Sequence, residues 1–178
     1  MRLIDKLKET IARLAVNPQK KQILSIRLYE ENLRFKCQRC AVYCCKLGGP
    51  SLTKKDIEQV EQLESVGCNV GKCIEPSERQ YRTFPFTSNV IKNKKDSSCI
   101  FLGKDKEKGI YECTIYDARP VLCRLYPFDL KRTSANSFLL KIIPCCKGLN
   151  NEDGEFVDES FITKHLLESI LQLVTNET

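Results

Sequence analysis

The sequence predicts an α+β fold: one small domain, mainly helical, with a few short strands around a cysteine-rich, metal-organised centre. Three observations carry this expectation. Apolar residues recur at helical spacing at both ends of the chain, and short β-branched and aromatic runs stand between them. Four thiols also fall within nine residues, at Cys37, Cys40, Cys44 and Cys45. With 178 residues, 42% of them hydrophobic, the chain is long enough to bury a core without disulfides. No repeat, low-complexity segment or linker divides it, so residues 1–178 read as one domain. N-terminal helices fill 1–34, a cysteine-cluster region fills 35–149, and a C-terminal helix lies within 155–176.

The elements follow in order. Leu3, Ile4, Leu7, Ile11, Leu14 and Ala15 keep helical periodicity until Asn17-Pro18 interrupts it, and Ile23, Ile26, Leu28 and Leu33 resume it, which predicts two N-terminal helices. After the first cysteines, Gly48-Gly49-Pro50 signals a turn, and Thr53-Lys54-Lys55-Asp56 has the form of a capping box. A helix from Lys54 to Glu64 follows, ending near Gly67. Short strands are expected within Tyr81 to Val90, at Cys99 to Leu102 and at Ile110 to Cys113, the last two joined as a hairpin by the charged loop from Gly103 to Gly109. Pro120 suits the first turn of a short helix from Arg119 to Leu125 that ends at Pro127. A strand at Phe138 to Ile143 precedes the broad apolar stripe of Phe161, Ile162, Leu166, Leu167, Ile170, Leu171 and Val174, which predicts a helix from Glu159 to Val174.

Composition narrows the function. Eleven cysteines is an odd number and too sparse for a disulfide miniprotein, so thiols in a reducing cytoplasm are the expectation. The N-terminus mixes charged and apolar residues without the uninterrupted apolar stretch of a secretory signal, and no run long enough to span a membrane occurs. The net charge of +6 counts every thiol as neutral. Metal ligation removes thiol protons, so part of the excess offsets thiolate charge. The lysine runs Lys92 to Lys95 and Lys104 to Lys108 lack interleaved aromatics and read as solvated loops, which argues against a nucleic-acid partner. No phosphate loop or Ser/His/Asp motif is present, and no catalytic residue is assigned.

The chemistry lies in the thiols. C-x2-C brings Cys37 and Cys40 around one tight turn, so a metal captures both with little loop-closure cost. Cys44 and Cys45 are adjacent, so their side chains diverge and do not easily reach one small ion. They suit two metals, or two irons of one cluster. Further cysteines return at Cys99, Cys113, Cys123 and Cys146. Phe35, Tyr43, Phe101, Tyr111, Tyr116, Leu122, Tyr126 and Phe128 all stand within a few positions of these thiols, either as a dry shell or as ordinary core. His165, remote in sequence, is expected to face solvent or an interface. Cys68 and Cys73 are either an extra ligand pair or small apolar core groups.

Four motifs in order, Cys37-x2-Cys40-x3-Cys44-Cys45, Cys99-Ile100-Phe101-Leu102, Cys113-x2-Tyr116-x2-Arg119-Pro120 and Cys123-Arg124-x2-Pro127-Phe128, followed by Cys146-Lys147-Gly148, resemble the YkgJ-type CxxCxxxCC cysteine-cluster family, described as zinc- or iron-chelating. The resemblance covers Phe35 to Leu149 and implies a ligand set of Cys37, Cys40, Cys44, Cys45, Cys99, Cys113, Cys123 and Cys146. Cys68, Cys73 and Cys145 fall outside it. The family's usual Pro between the last cysteine and glycine is Lys147 here. Beside such ligands, Arg119 and Arg124 are placed to donate to thiolate sulfur and neutralise it; the alternative for Arg119 is an ion pair with Asp117 or a bond that caps a carbonyl.

One local knuckle followed by dispersed cysteines suits an iron–sulfur cluster, most simply 4Fe-4S, better than the paired knuckles of a structural zinc site. The expected function is therefore an iron–sulfur protein with a redox, sensing or enzyme-supporting role. The alternative is a zinc-organised interaction module that binds a protein partner. A third reading rests only on resemblance: some flagellin lysine methylases share the cysteine cluster, which implies a role in protein lysine methylation.

Overall fold

The computed structural model describes residues 9–63, 73–77, 84–105, 107 and 109–175. Its first surprise lies in the N-terminal apolar residues. Ile11, Ala12, Leu14 and Val16 are essentially inaccessible to solvent, and the alternation of Ala12, Leu14 and Val16 has the period of a strand. Thr10–Asn17 is β1 and Gln22–Leu28 is β2, joined through Pro18 to Lys21, the last with a left-handed φ of 50°. The expected N-terminal helices are thus a β-hairpin; Leu3, Ile4 and Leu7 lie outside the described residues. The reason is physical: Ile11, Leu14 and Ala15 match helical spacing by coincidence, while the small Ala12 and the β-branched Val16 supply the buried alternation that pairing rewards.

The expectation of a mainly helical fold is therefore corrected. Among the described residues strand (35%) outweighs helix (24%), and their strands form four small sheets. The chain gathers into two compact units, Met1–Gln38 with Leu125–Thr178, and Arg39–Arg124.

In the first unit β1 is central to an antiparallel sheet in the order β2-β1-β10-β9, where β9 is Phe128–Ser134 and β10 is Ser137–Ile142. Phe138, Leu140 and Ile142 alternate into its core as β1 does. A small second ladder pairs β3 (Arg34–Phe35) with β11 (Glu155–Phe156), and the Arg34 guanidinium lies 3.8 Å from the Phe156 ring centre. The expected C-terminal helix is present as α3 (Glu159–Phe161), a π-helical turn (Ile162–Leu166) and α4 (Leu167–Thr175), capped by Asp158, whose carboxylate accepts from the Phe161 amide at 2.8 Å. Phe35, Phe128 and Phe161 meet edge-on or tilted at 5.7 to 6.3 Å, locking β3, β9 and α3 together. His165 bonds Glu155 at 3.0 Å at the surface.

In the second unit β4 (Ser51–Thr53), β6 (Phe86–Ile91) and β5 (Ile74–Pro76) form an antiparallel sheet in the order β4-β6-β5. The hairpin of β7 (Leu102–Lys104) and β8 (Tyr111–Cys113) follows, then a 3-10 turn (Tyr116–Ala118) and α2 (Val121–Leu125). The capping box is formed as the sequence predicts, and α1 spans Lys54–Glu61; its expected end near Gly67 lies outside the described residues. Gly49 packs so tightly on β6 that a Cβ there would stand 2.0 Å from the Ile91 carbonyl oxygen, so only glycine fits the turn.

Asp56 does more than cap. Fully buried, it accepts from the Thr53 amide (2.9 Å) and hydroxyl (2.8 Å) with one oxygen, and from the Val121 amide (2.9 Å) with the other. One carboxylate thus fixes the starts of both helices, 65 residues apart. Asp56→Asn places a donor against these donors and is expected to cost about 2 kcal/mol or more, whereas Thr53→Ala costs about 1 kcal/mol. Urea denaturation followed by circular dichroism measures both; equal, negligible losses would show that the carboxylate is not a structural pin.

Candidate metal centre

The loop that carries the first cysteines is irregular for a local reason. Arg39 (φ 48°) and Ala41 (φ 54°) flank Cys40 in the left-handed region, an uncommon conformation for residues with a Cβ. The Lys46 amide closes the loop on the Ala41 carbonyl at 3.0 Å. This tight winding delivers Cys44 and Cys45 together, with the Cys45 thiol donating to Cys44 sulfur at 3.7 Å.

Backbone bonds then bring in the distant cysteines. The Cys99 amide donates to the Cys45 carbonyl at 2.8 Å, and Cys99 also bridges Asn93. Asn93 is a residue that spacing alone does not reveal. Its side-chain oxygen accepts from the Gly49 amide at 2.6 Å, tying the turn after Cys45 to the segment before Cys99. Cys113 ends β8, opposite Leu102, and the next amide, Thr114, bonds the Phe101 carbonyl at 2.9 Å. Cys123 rides on α2, whose start Asp56 holds.

Cys44, Cys45, Cys99, Cys113 and Cys123 consequently lie close enough to feel one another's charge. Burial is the largest cause raising the Cys99, Cys113 and Cys123 thiols, reinforced by neighbouring thiolates. The Cys44–Cys45 pair splits. Cys44 is lowered to about 7, first because Cys45 donates to its thiolate and further by the Arg119 charge, while Cys45 is pushed up as the proton-holding partner. Arg119 is held by a 2.9 Å bond from Nε to the Tyr116 carbonyl and lies 3.7 Å from that ring's centre, and its charge also favours the Cys113 and Cys123 thiolates. Arg124 follows Cys123 in the last turn of α2.

Of the two readings of the nearby aromatic residues, shell or ordinary core, each describes only some of them. Leu52, Val60, Cys73, Ile91, Cys99 and Phe101 form the buried cluster, with Cys45, Cys113, Ile57, Ile74, Ile100 and Ile115 packed against it. Phe101 belongs to it, whereas Tyr43 and Tyr116 are exposed and Phe35 and Phe128 belong to the first unit's aromatic trio. Cys73 is a buried member of this core; Cys68 lies outside the described residues.

Cys40 is half-buried in the same unit. Cys37, Cys145 and Cys146 belong to the first unit, where the Lys36 amide donates to the Gly148 carbonyl at 3.0 Å and sets Cys37 and Cys146 on neighbouring segments. A Cβ on Gly148 would stand 2.5 Å from the Lys36 oxygen, which explains the glycine after Cys146. Every described cysteine is a free thiol. Among the described residues, no three Cys, His, Asp or Glu side chains converge tightly enough to hold one metal ion. The donors suit a soft metal in kind, and the five thiols group at a wider spacing than a single ion takes.

Residues 36–147 match the CxxCxxCC family, described as "Putative zinc- or iron-chelating domain". An uncharacterised protein of Methanocaldococcus jannaschii is 28% identical over 145 residues, covering 80% of this chain and 72% of its own. No solved structure matches the chain significantly.

In metal-free protein the Cys44–Cys45 pair is expected to react first with iodoacetamide, with a rate midpoint near pH 7 set by Cys44. Peptide mapping by mass spectrometry reads the order of labelling. Cys99 or Cys123 reacting ahead of the pair would contradict this electrostatic picture.

Proposed function

The chain belongs to the CxxCxxCC family of cysteine-cluster domains, and from that premise we propose that it is an iron–sulfur protein with a redox role, its cluster held in the second unit. The supporting observation is that Cys99 lies in the buried apolar cluster with Cys45 and Cys113 packed against it, each from a separate segment. Cys44 bonds Cys45, Cys123 feels the charge of Cys99 and Cys113, and no three of these thiols converge on the site of a single ion. A zinc ion with Zn–S bonds of about 2.3 Å needs its thiolates nearly touching. A cluster, which contributes irons and sulfides of its own, suits donors spread more widely. One of Cys44 and Cys45, with Cys99, Cys113 and Cys123, provides four thiolates.

A cluster bound there supplies one-electron chemistry. The chain's own residues set its conditions. Leu52, Ile91 and Phe101 keep water from the thiols, and Arg119 offsets their negative charge and favours a more reduced site. We place the protein in a reducing cytoplasm, where such thiols stay available. Among the described residues no helix is long and apolar enough to cross a membrane.

Protein purified without oxygen is expected to contain iron and acid-labile sulfide in equal amounts and to absorb broadly at about 400 nm, with Cys113→Ala losing both. Stoichiometric zinc without sulfide would replace this reading with a zinc-organised module.

A further inference from the structure

Four cations surround the cysteine loop on a scaffold of tyrosines. Arg39 precedes Cys40 and lies 5.6 Å from the Tyr116 ring centre, over which Arg119 also lies. Lys46 follows Cys45 and lies 4.2 Å from the Tyr111 ring centre, with Lys104 5.7 Å from the same ring. These contacts tie segment 39–46 to segment 111–119, and in sequence Cys40, Cys44 and Cys45 fall between Arg39 and Lys46 as Cys113 falls between Tyr111 and Tyr116. Arg39, Lys46 and Lys104 are exposed, and among the described residues no carboxylate forms an ion pair with any of the four. Ring faces hold these side chains in place, and although exposed Glu112 and Asp117 lie on the same segment, neither forms an ion pair with them. Within this rim Tyr43, beside Cys44, is 40% exposed, and Leu47, two positions after Cys45, is 70% exposed.

We propose that this rim is a docking surface for an acidic segment of a partner protein, which it holds beside the thiols. In taking those thiols as the destination, the inference rests on the metal-centre reading above. Tyrosine, arginine and an exposed apolar side chain beside four cations without ion pairs among the described residues are the composition of a protein interface with an acidic counterpart. Single-stranded nucleic acid fits less well, because each ring already carries two of the protein's own cations and offers no free platform for a base.

The test uses fluorescence anisotropy of a labelled peptide of about 20 residues, glutamate with interspersed leucine, added to the full chain as purified without oxygen, with metal content measured on every sample. The peptide is expected to bind at low ionic strength and to weaken by about tenfold or more, both in Arg39→Gln/Lys104→Gln and in physiological salt. Lys20→Gln/Lys131→Gln, exposed positions of the first unit, should leave binding unchanged. Absent binding, equal binding by the rim variant, or tighter binding of an oligothymidylate of the same length would overturn the proposal. Rim-dependent binding by metal-free protein would support the docking surface while removing the metal centre. Metal retained without peptide binding would overturn the docking surface alone.

Discussion

The second unit depends on one buried carboxylate. Asp56 has no access to solvent, and its two oxygens accept three hydrogen bonds that no apolar side chain can replace. A charge so placed is tolerated only when its lone pairs are used, so the geometry of its donors becomes obligatory. Two of those donors start α1 and the third starts α2. Because Cys123 sits on the first turns of α2, the capping box that opens α1 also positions a thiol far along the chain. Asn93 performs the neutral counterpart of this task between Gly49 and the Cys99 segment.

The same economy shapes the thiol group's electrostatics. Burial alone raises every thiol and opposes ionisation. Against that stand a sulfur–sulfur hydrogen bond within the Cys44–Cys45 pair and one fixed guanidinium, Arg119. The arginine is locked over Tyr116 and by the Tyr116 carbonyl, so its charge is present before any ligand arrives. A site that keeps its thiols mostly protonated until a metal displaces the protons couples loading to pH and to folding of the surrounding core.

Local signals in the sequence were legible where one chemical cause determined the result. Thr53 and Asp56 form the capping box they spell, the charged loop joins β7 to β8, and the apolar stripe after Asp158 is helical. The N-terminal strands were not legible, because three apolar residues fit helical spacing while the deciding alternation included small Ala12. The long-range bond from Asp56 to Val121 is invisible to spacing, as is the contact of Gly49 with Ile91. For the thiols, the C-C pair and the later motifs marked residues that the second unit gathers. Cys37 and Cys146 instead share a ladder edge in the first unit, a pairing made by Lys36 and Gly148 across more than a hundred residues.

The proposed function makes the thiols of the second unit ligands of one polynuclear centre. Anomalous diffraction at the iron edge, from crystals grown without oxygen, locates that metal directly. The expected result is a single compact peak bordered by Cys99, Cys113, Cys123 and one of Cys44 and Cys45. A peak remote from these residues, or signal at the zinc edge alone, would contradict it.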